Sequence, residues 1–104
     1  MRKQEPTQPT GTLGELEAVL RARAAAPPAD SYSVTLLADP ERAGRKIVEE
    51  AFELAVELLR QPVDRARTAE EAADLVFHTL AGLVGAGVSL DAVLNVLATR
   101  RVGS

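Results

Sequence analysis

The chain has no cysteine and no tryptophan, and its aromatic residues are one tyrosine and two phenylalanines. Without cysteine there is no disulfide framework, zinc ribbon, iron–sulfur site or thiol nucleophile, and a reducing compartment is the easier setting. So few aromatic rings make no base-stacking platform. Charge of one sign is also lacking: twelve basic against fifteen acidic residues leave −3 over 104 positions, which provides no field to gather nucleic acid. No run approaches the ~20 apolar residues of a membrane span, and the N-terminal MRKQEPTQPTG has charge and proline where a signal peptide needs an apolar stretch. The expectation is a cytoplasmic protein with neither nucleic acid nor membrane as partner.

The sequence does contain helical periodicity and two concentrations of acid. Residues 1–11 are polar, proline-bearing and aperiodic, and are expected to form a disordered tail. Thr12-Leu13-Gly14-Glu15 fits a capping box, and Leu13, Leu16, Val19 and Leu20 follow at helical spacing, giving a first helix over roughly 12–26. ADSYSVTLLADP is β-branched in part, but a lone strand has no partner, so it is read as an ordered connection. Asp39 and Pro40 then cap and open a second helix that runs to about Gln61. A third helix begins between Asp64 and Thr68 and stops at Gly87, and Ser89 caps a fourth with an apolar stripe of Leu90, Val93, Leu94 and Leu97. The expected fold is all-α, a four-helix domain over residues 12–101.

In RKIVEEAFELAVELL, residues 45–59, Ile47, Val48, Ala51, Phe52, Ala55, Leu58 and Leu59 cover one face while Lys46, Glu49, Glu50, Glu53 and Glu57 fill the opposite arc. Like charges stacked at three- and four-residue spacing repel by roughly 0.2–0.5 kcal/mol per pair. A solvated acidic face with Lys46 paired to Glu49 or Glu50 explains this helix by itself. The third helix shifts the balance. It is apolar around roughly 200° of its circumference, and its narrow polar stripe holds Glu70, Glu71, Asp74 and His78. Gly82 and Gly85 extend that stripe and let another helix come close.

Carboxylates facing protein are costly unless paired, protonated or bound to a cation. Glu50 and Glu53 are three apart, as are Glu71 and Asp74, so two packed helices offer four carboxylates to one or two divalent ions. All-oxygen coordination favours magnesium, with manganese as a substitute. Glu57 has no counterpart in the third-helix stripe and is read as surface. Lys46 is either a helix ion pair or a phosphate cation, and His78 is an orienting partner of Asp74, a phosphate contact or a hydrogen-bonded interior histidine.

KIVEEAFE at 46–53 followed by EEAADLVFH at 70–78 resembles the phosphoribosyl-ATP pyrophosphohydrolases of histidine biosynthesis, within the all-α MazG-like nucleotide pyrophosphohydrolases. SYSVTLL at 31–37 and GVSLDAVL at 87–94 extend the likeness from about Thr12 to Arg101. Ser33 and Phe77 stand where that family often has threonine and tyrosine. The resemblance implies hydrolysis of phosphoribosyl-ATP between its α and β phosphates, giving phosphoribosyl-AMP and pyrophosphate. It implies Glu50, Glu53, Glu71 and Asp74 as ligands of Mg²⁺, Glu49 or Glu70 as the base that takes a proton from water, and Lys46, Arg42, Arg45 and His78 as phosphate contacts. It also implies a homodimer that completes a helical bundle, with the active site near the interface. The rival readings are a house-cleaning nucleoside triphosphate pyrophosphohydrolase and a non-enzymatic helical module whose acidic face meets a basic partner.

Overall fold

The computed structural model describes residues 11–103, which form five helices and no strand: α1 (Gly11–Ala25), α2 (Tyr32–Leu37), α3 (Pro40–Leu59), α4 (Arg65–Ala86) and α5 (Leu90–Gly103). The all-α expectation holds, with one helix more than expected. The tail expected over residues 1–11 lies outside the described residues, apart from Gly11, which opens α1. Thr12 is therefore inside the helix and is not its cap. The segment read as a connection forms α2, starting after an extended Ser31. Its β-branched residues are overridden by packing, because the helical turn puts Leu36 and Ser33 into the interior, at 1% and 2% exposure.

Local signals account for most helix ends. Asp39 accepts a hydrogen bond from the Arg42 backbone N–H at 3.1 Å, and Asp64 accepts one from that of Arg67 at 3.0 Å. Gly87, with φ 77°, ends α4 in the left-handed conformation that glycine adopts without a Cβ penalty. Ser89 Oγ accepts from the Ala92 N–H at 3.0 Å. A long-range contact supplements this last cap. The Glu17 carboxylate on α1 accepts from the Leu90 N–H at 2.8 Å and from Arg21 at 2.9 Å, tying α1 to the start of α5. The Leu90 N–H, chiefly, holds the Glu17 carboxyl below the usual carboxylate range.

α4 is the central helix, against which α1, α2 and α3 all pack. The apolar core is small: Leu20, Leu36, Ala43, Leu80, Ala81 and Leu90, flanked by Leu13, Leu16, Phe77, Val84 and Leu94. The two stripe glycines are points of close approach. A Cβ at Gly85 would lie 3.0 Å from the Leu37 carbonyl oxygen, and one at Gly82 would lie 3.3 Å from Ile47 Cδ1. Gly85→Ala is expected to destabilise by about 1–3 kcal/mol because a backbone cannot step aside, lowering Tm by roughly 5–15 °C. In Gly82→Ala the flexible end of Ile47 gives way, and the gain in helix propensity of up to about 1 kcal/mol leaves stability near or above the parent. Thermal denaturation of the two variants separates the cases.

α3 and α4 are joined by residues 60–64 and run antiparallel. Glu57 meets Arg67, Glu50 and Glu53 meet Glu71, and Ile47 meets Gly82, so positions descend on one helix as they ascend on the other. The face of α3 turned inward is the one carrying acid. Ala43, Glu50 and Glu57 are its buried residues, whereas Val48 and Phe52 are each 69% exposed and Leu59 is 80% exposed. The amphipathic pattern of α3 is thus inverted in the single chain.

Candidate functional site

One carboxylate oxygen each from Glu50, Glu53 and Glu71 lies within 4.8 Å of the others, so the cluster can hold a metal ion. Glu50 and Glu71 are both buried, at 7% exposure, and Glu53 stands at the open side. The cluster forms because α3 presents Ala43, Ile47, Glu50, Leu54 and Glu57, alternating four and three apart, toward α4. Three negative groups at this range repel. The charge of Glu50, followed by desolvation and by Glu71 beside it, pushes the Glu53 carboxyl above the usual carboxylate range.

The donor set fits a hard divalent cation by an observation independent of its charge. Among the described residues Glu71 Oε1 is buried and, with Glu53 ionised, has no hydrogen-bond donor, while Oε2 of the same carboxylate accepts from Arg67 Nε at 3.1 Å. An orphaned carboxylate oxygen in a buried setting is costly, and an oxygen-preferring ion removes that cost. Asp74, expected as a fourth ligand, is exposed and outside this group. It lies on α4, three residues beyond Glu71.

Lys46 pairs with both partners considered for it, Glu49 at 3.1 Å and Glu50 at 3.7 Å. Its hydrogen bond to Glu49, chiefly, keeps the ammonium protonated above its ordinary range. Glu49 and Glu70 are exposed neighbours of the buried Glu50 and Glu71. Arg42 lies at the start of α3 and is exposed. Arg45 is turned to Glu41 at 3.5 Å, and five residues at 100° each set it roughly 140° around α3 from Glu50, away from the shelf.

His78 is buried, and both its ring nitrogens have protein partners. Nδ1 lies 2.7 Å from the Asp74 backbone carbonyl, which can only accept, so Nδ1 carries a proton. Nε2 lies 2.8 Å from the Tyr32 hydroxyl. The histidine touches neither the Asp74 carboxylate nor open space, and no donor is left over for a phosphate oxygen. Its ring stands edge-on to Phe77, and Phe77 stacks at 6.4 Å on Tyr32, so α4 fixes the Tyr32 ring beside the site.

Two site residues escaped the sequence reading. Glu57, taken as surface, is 6% exposed and is held by Arg60 at 3.2 Å and Arg67 at 3.8 Å. Its spacing of seven from Glu50 was the available signal, because a heptad returns to the same helix face. Arg67, four before Glu71, falls in the interval between Asp64 and Thr68 within which the sequence leaves the start of α4 open. With Glu50, Glu57 and Glu71 all buried, an outward acidic face for a basic partner loses its main residues.

Residues 13–101 match the family described as phosphoribosyl-ATP pyrophosphohydrolase. The chain is 38% identical over 96 residues to the phosphoribosyl-ATP pyrophosphatase of Methylobacterium nodulans, covering 91% of this chain and 88% of that one. It is 42% identical over 91 residues to the enzyme of that name from Caulobacter vibrioides, covering 88% and 83%. Against that of Pyrobaculum arsenaticum it is 44% identical over 90 residues, covering 86% and 94%.

Proposed function

The chain belongs to the phosphoribosyl-ATP pyrophosphohydrolase family, and from that premise we propose that it hydrolyses phosphoribosyl-ATP to phosphoribosyl-AMP and pyrophosphate, a step of histidine biosynthesis. It is a hydrolase of a phosphoric anhydride bond. The observation that carries the reading beyond family membership is the acidic cluster, one of whose members, Glu71, has a buried oxygen with no hydrogen-bond donor among the described residues. A triphosphate is repelled by such a cluster unless a cation lies between them.

Glu50, Glu53 and Glu71 would hold that cation, and Asp74, three residues beyond Glu71 on α4, would complete the set. When bound, Mg²⁺ supplies charge neutralisation, orientation of the α-phosphoryl group and a lowered pKa for water, and Mn²⁺ substitutes for it. The remaining roles belong to side chains. Lys46 and Arg42 draw in phosphate oxygens from the α3 side. Glu49 or Glu70, exposed beside the ligands, accepts the proton of the attacking water. His78 holds Tyr32 in place instead of contacting phosphate. No covalent intermediate is needed, because in-line attack by water breaks the bond between the α and β phosphates directly.

The domain acts as a homodimer. Val48, Phe52, Leu58 and Leu59 leave the outer face of α3 apolar and 56–80% exposed, and the six buried apolar residues among those described make a small core. A second copy covering that face also closes the outer side of the helix that carries the ligands. Among the described residues no single helix is long and apolar enough to cross a membrane. Purified protein with Mg²⁺ is to be incubated with phosphoribosyl-ATP and, separately, with a panel of nucleoside triphosphates while pyrophosphate is measured. Release from phosphoribosyl-ATP with kcat/KM at least tenfold above every nucleoside triphosphate supports the reading, and the reverse preference makes it a house-cleaning enzyme.

A further inference from the structure

We infer that Arg67, anchored by the buried Glu57, is a positioning residue of the cation site: it engages one oxygen of Glu71 and thereby presents the other to the ion. The inference rests on the reading of Glu50, Glu53 and Glu71 as the cation shelf. Arg67 Nε donates to Glu71 Oε2 at 3.1 Å, and the oxygen left over, Oε1, is the buried atom with no hydrogen-bond donor among the described residues. A carboxylate with one oxygen bound cannot rotate freely, so the position of the other is fixed as well.

The placement of the guanidinium is itself informative. Arg67 sits in the first turn of α4, where its backbone N–H is bonded to Asp64, and a cation there opposes the helix dipole. Its side chain bends toward acid: Glu57 Oε2 lies 3.8 Å away, and Glu57 Oε1 is occupied by Arg60 at 3.2 Å. Glu57, 6% exposed, lies outside the group of three and is linked to Glu71 by Arg67, which pairs with both.

A positive group beside a cation site also repels the cation, and the two effects have opposite signs. The Arg67 side chain is 58% exposed and shares Glu57, so its Coulomb effect is screened and partly cancelled. Orientation is not screened. Removing an outer contact that fixes a ligand typically lowers metal affinity 10–100-fold.

The test is Mn²⁺ binding to the metal-stripped protein, read from the electron paramagnetic resonance signal of free Mn²⁺, for the parent, Arg67→Gln and Arg67→Lys. Far-UV circular dichroism checks the fold of each. Arg67→Gln is expected to weaken Mn²⁺ binding about 10–100-fold. Arg67→Lys, which keeps the charge but loses the planar donor, is expected to fall between it and the parent. If Arg67→Gln fails to fold, Arg67→Lys carries the test by itself. Parent-like or tighter affinity in either folded variant overturns the role of Arg67 while leaving the cation shelf standing. Absence of Mn²⁺ binding by the parent removes the shelf, and the inference with it. A purely structural Arg67 would lower Tm with the Mn²⁺ affinity unchanged.

Discussion

Glu50→Gln and Glu71→Gln are each expected to lower pyrophosphate release from phosphoribosyl-ATP by about 10²–10³-fold or more, with the helical fold intact. The magnitude is that of losing one preorganised electrostatic group at a reacting phosphate. Both residues are 7% exposed and contribute oxygens to the 4.8 Å group. An amide in either place keeps the shape and removes a charged ligand. Asp74→Asn tests the fourth position, and near-normal activity there would reduce the shelf to three carboxylates.

Glu53→Gln separates function from stability at the same site. It is expected to lose activity like its neighbours and yet to raise Tm of the metal-free protein at neutral pH. The carboxyl of Glu53 is pushed up from its ordinary 4.5 chiefly by Glu50, so the fold favours its protonated form. Stability from this group is therefore present below the unfolded value and is lost as pH rises through the folded one. In EDTA, the parent should gain stability on mild acidification from neutral pH relative to Glu53→Gln. In Mn²⁺ the order reverses, since an ion at 100 times its Kd contributes about 2.7 kcal/mol to the parent alone. Calorimetry with and without the ion reads both. A Glu53→Gln protein less stable than the parent in EDTA would show that the three carboxylates do not repel one another in solution.

The combined variant Phe52→Asp, Leu59→Asp is expected to convert the protein from dimer to monomer. Phe52 and Leu59 are 69% and 80% exposed in the single chain. Burying such a side chain is worth about 1.5–3 kcal/mol, and a two-fold interface counts each substitution twice. Roughly 6–12 kcal/mol is removed, which weakens dimerisation by at least about 10⁴-fold. Light scattering at micromolar concentration should give a dimeric mass for the parent and a monomeric one for the variant. A monomeric parent would sink the assembly. A variant that stays dimeric would move the interface to another apolar surface, such as that of Val96 and Leu97 on α5.

The legible parts of this protein were those set by residues near one another in the chain. Asp39 and Ser89 cap helices with their side chains, Pro40 opens α3 at its first position and Gly87 ends α4 with a positive φ, and the structure uses each in that way. The less legible parts needed a neighbour. α2 is a helix because Leu36 finds a pocket in the core, which six residues with β-branched members do not announce. His78 was placed on the right stripe, but its role followed from Tyr32, 46 positions away in the chain. Glu57 looked like surface because its partner Arg67 comes from the other helix.

The sequence by itself determined the four longer helices, the acidic residues that α3 and α4 would each carry on one face, and the family, because periodicity, caps and motif spacing are local properties of the chain. Tertiary structure decided which face of α3 turns inward, a choice that the paired spacing of the carboxylates had only suggested. Periodicity separates an apolar face from a charged one, but it does not say which will meet the neighbouring helix and which will wait for a partner. That choice depends on where α4 lies, and here it buries Glu50, Glu57 and Glu71 together while leaving Phe52 and Leu59 outside.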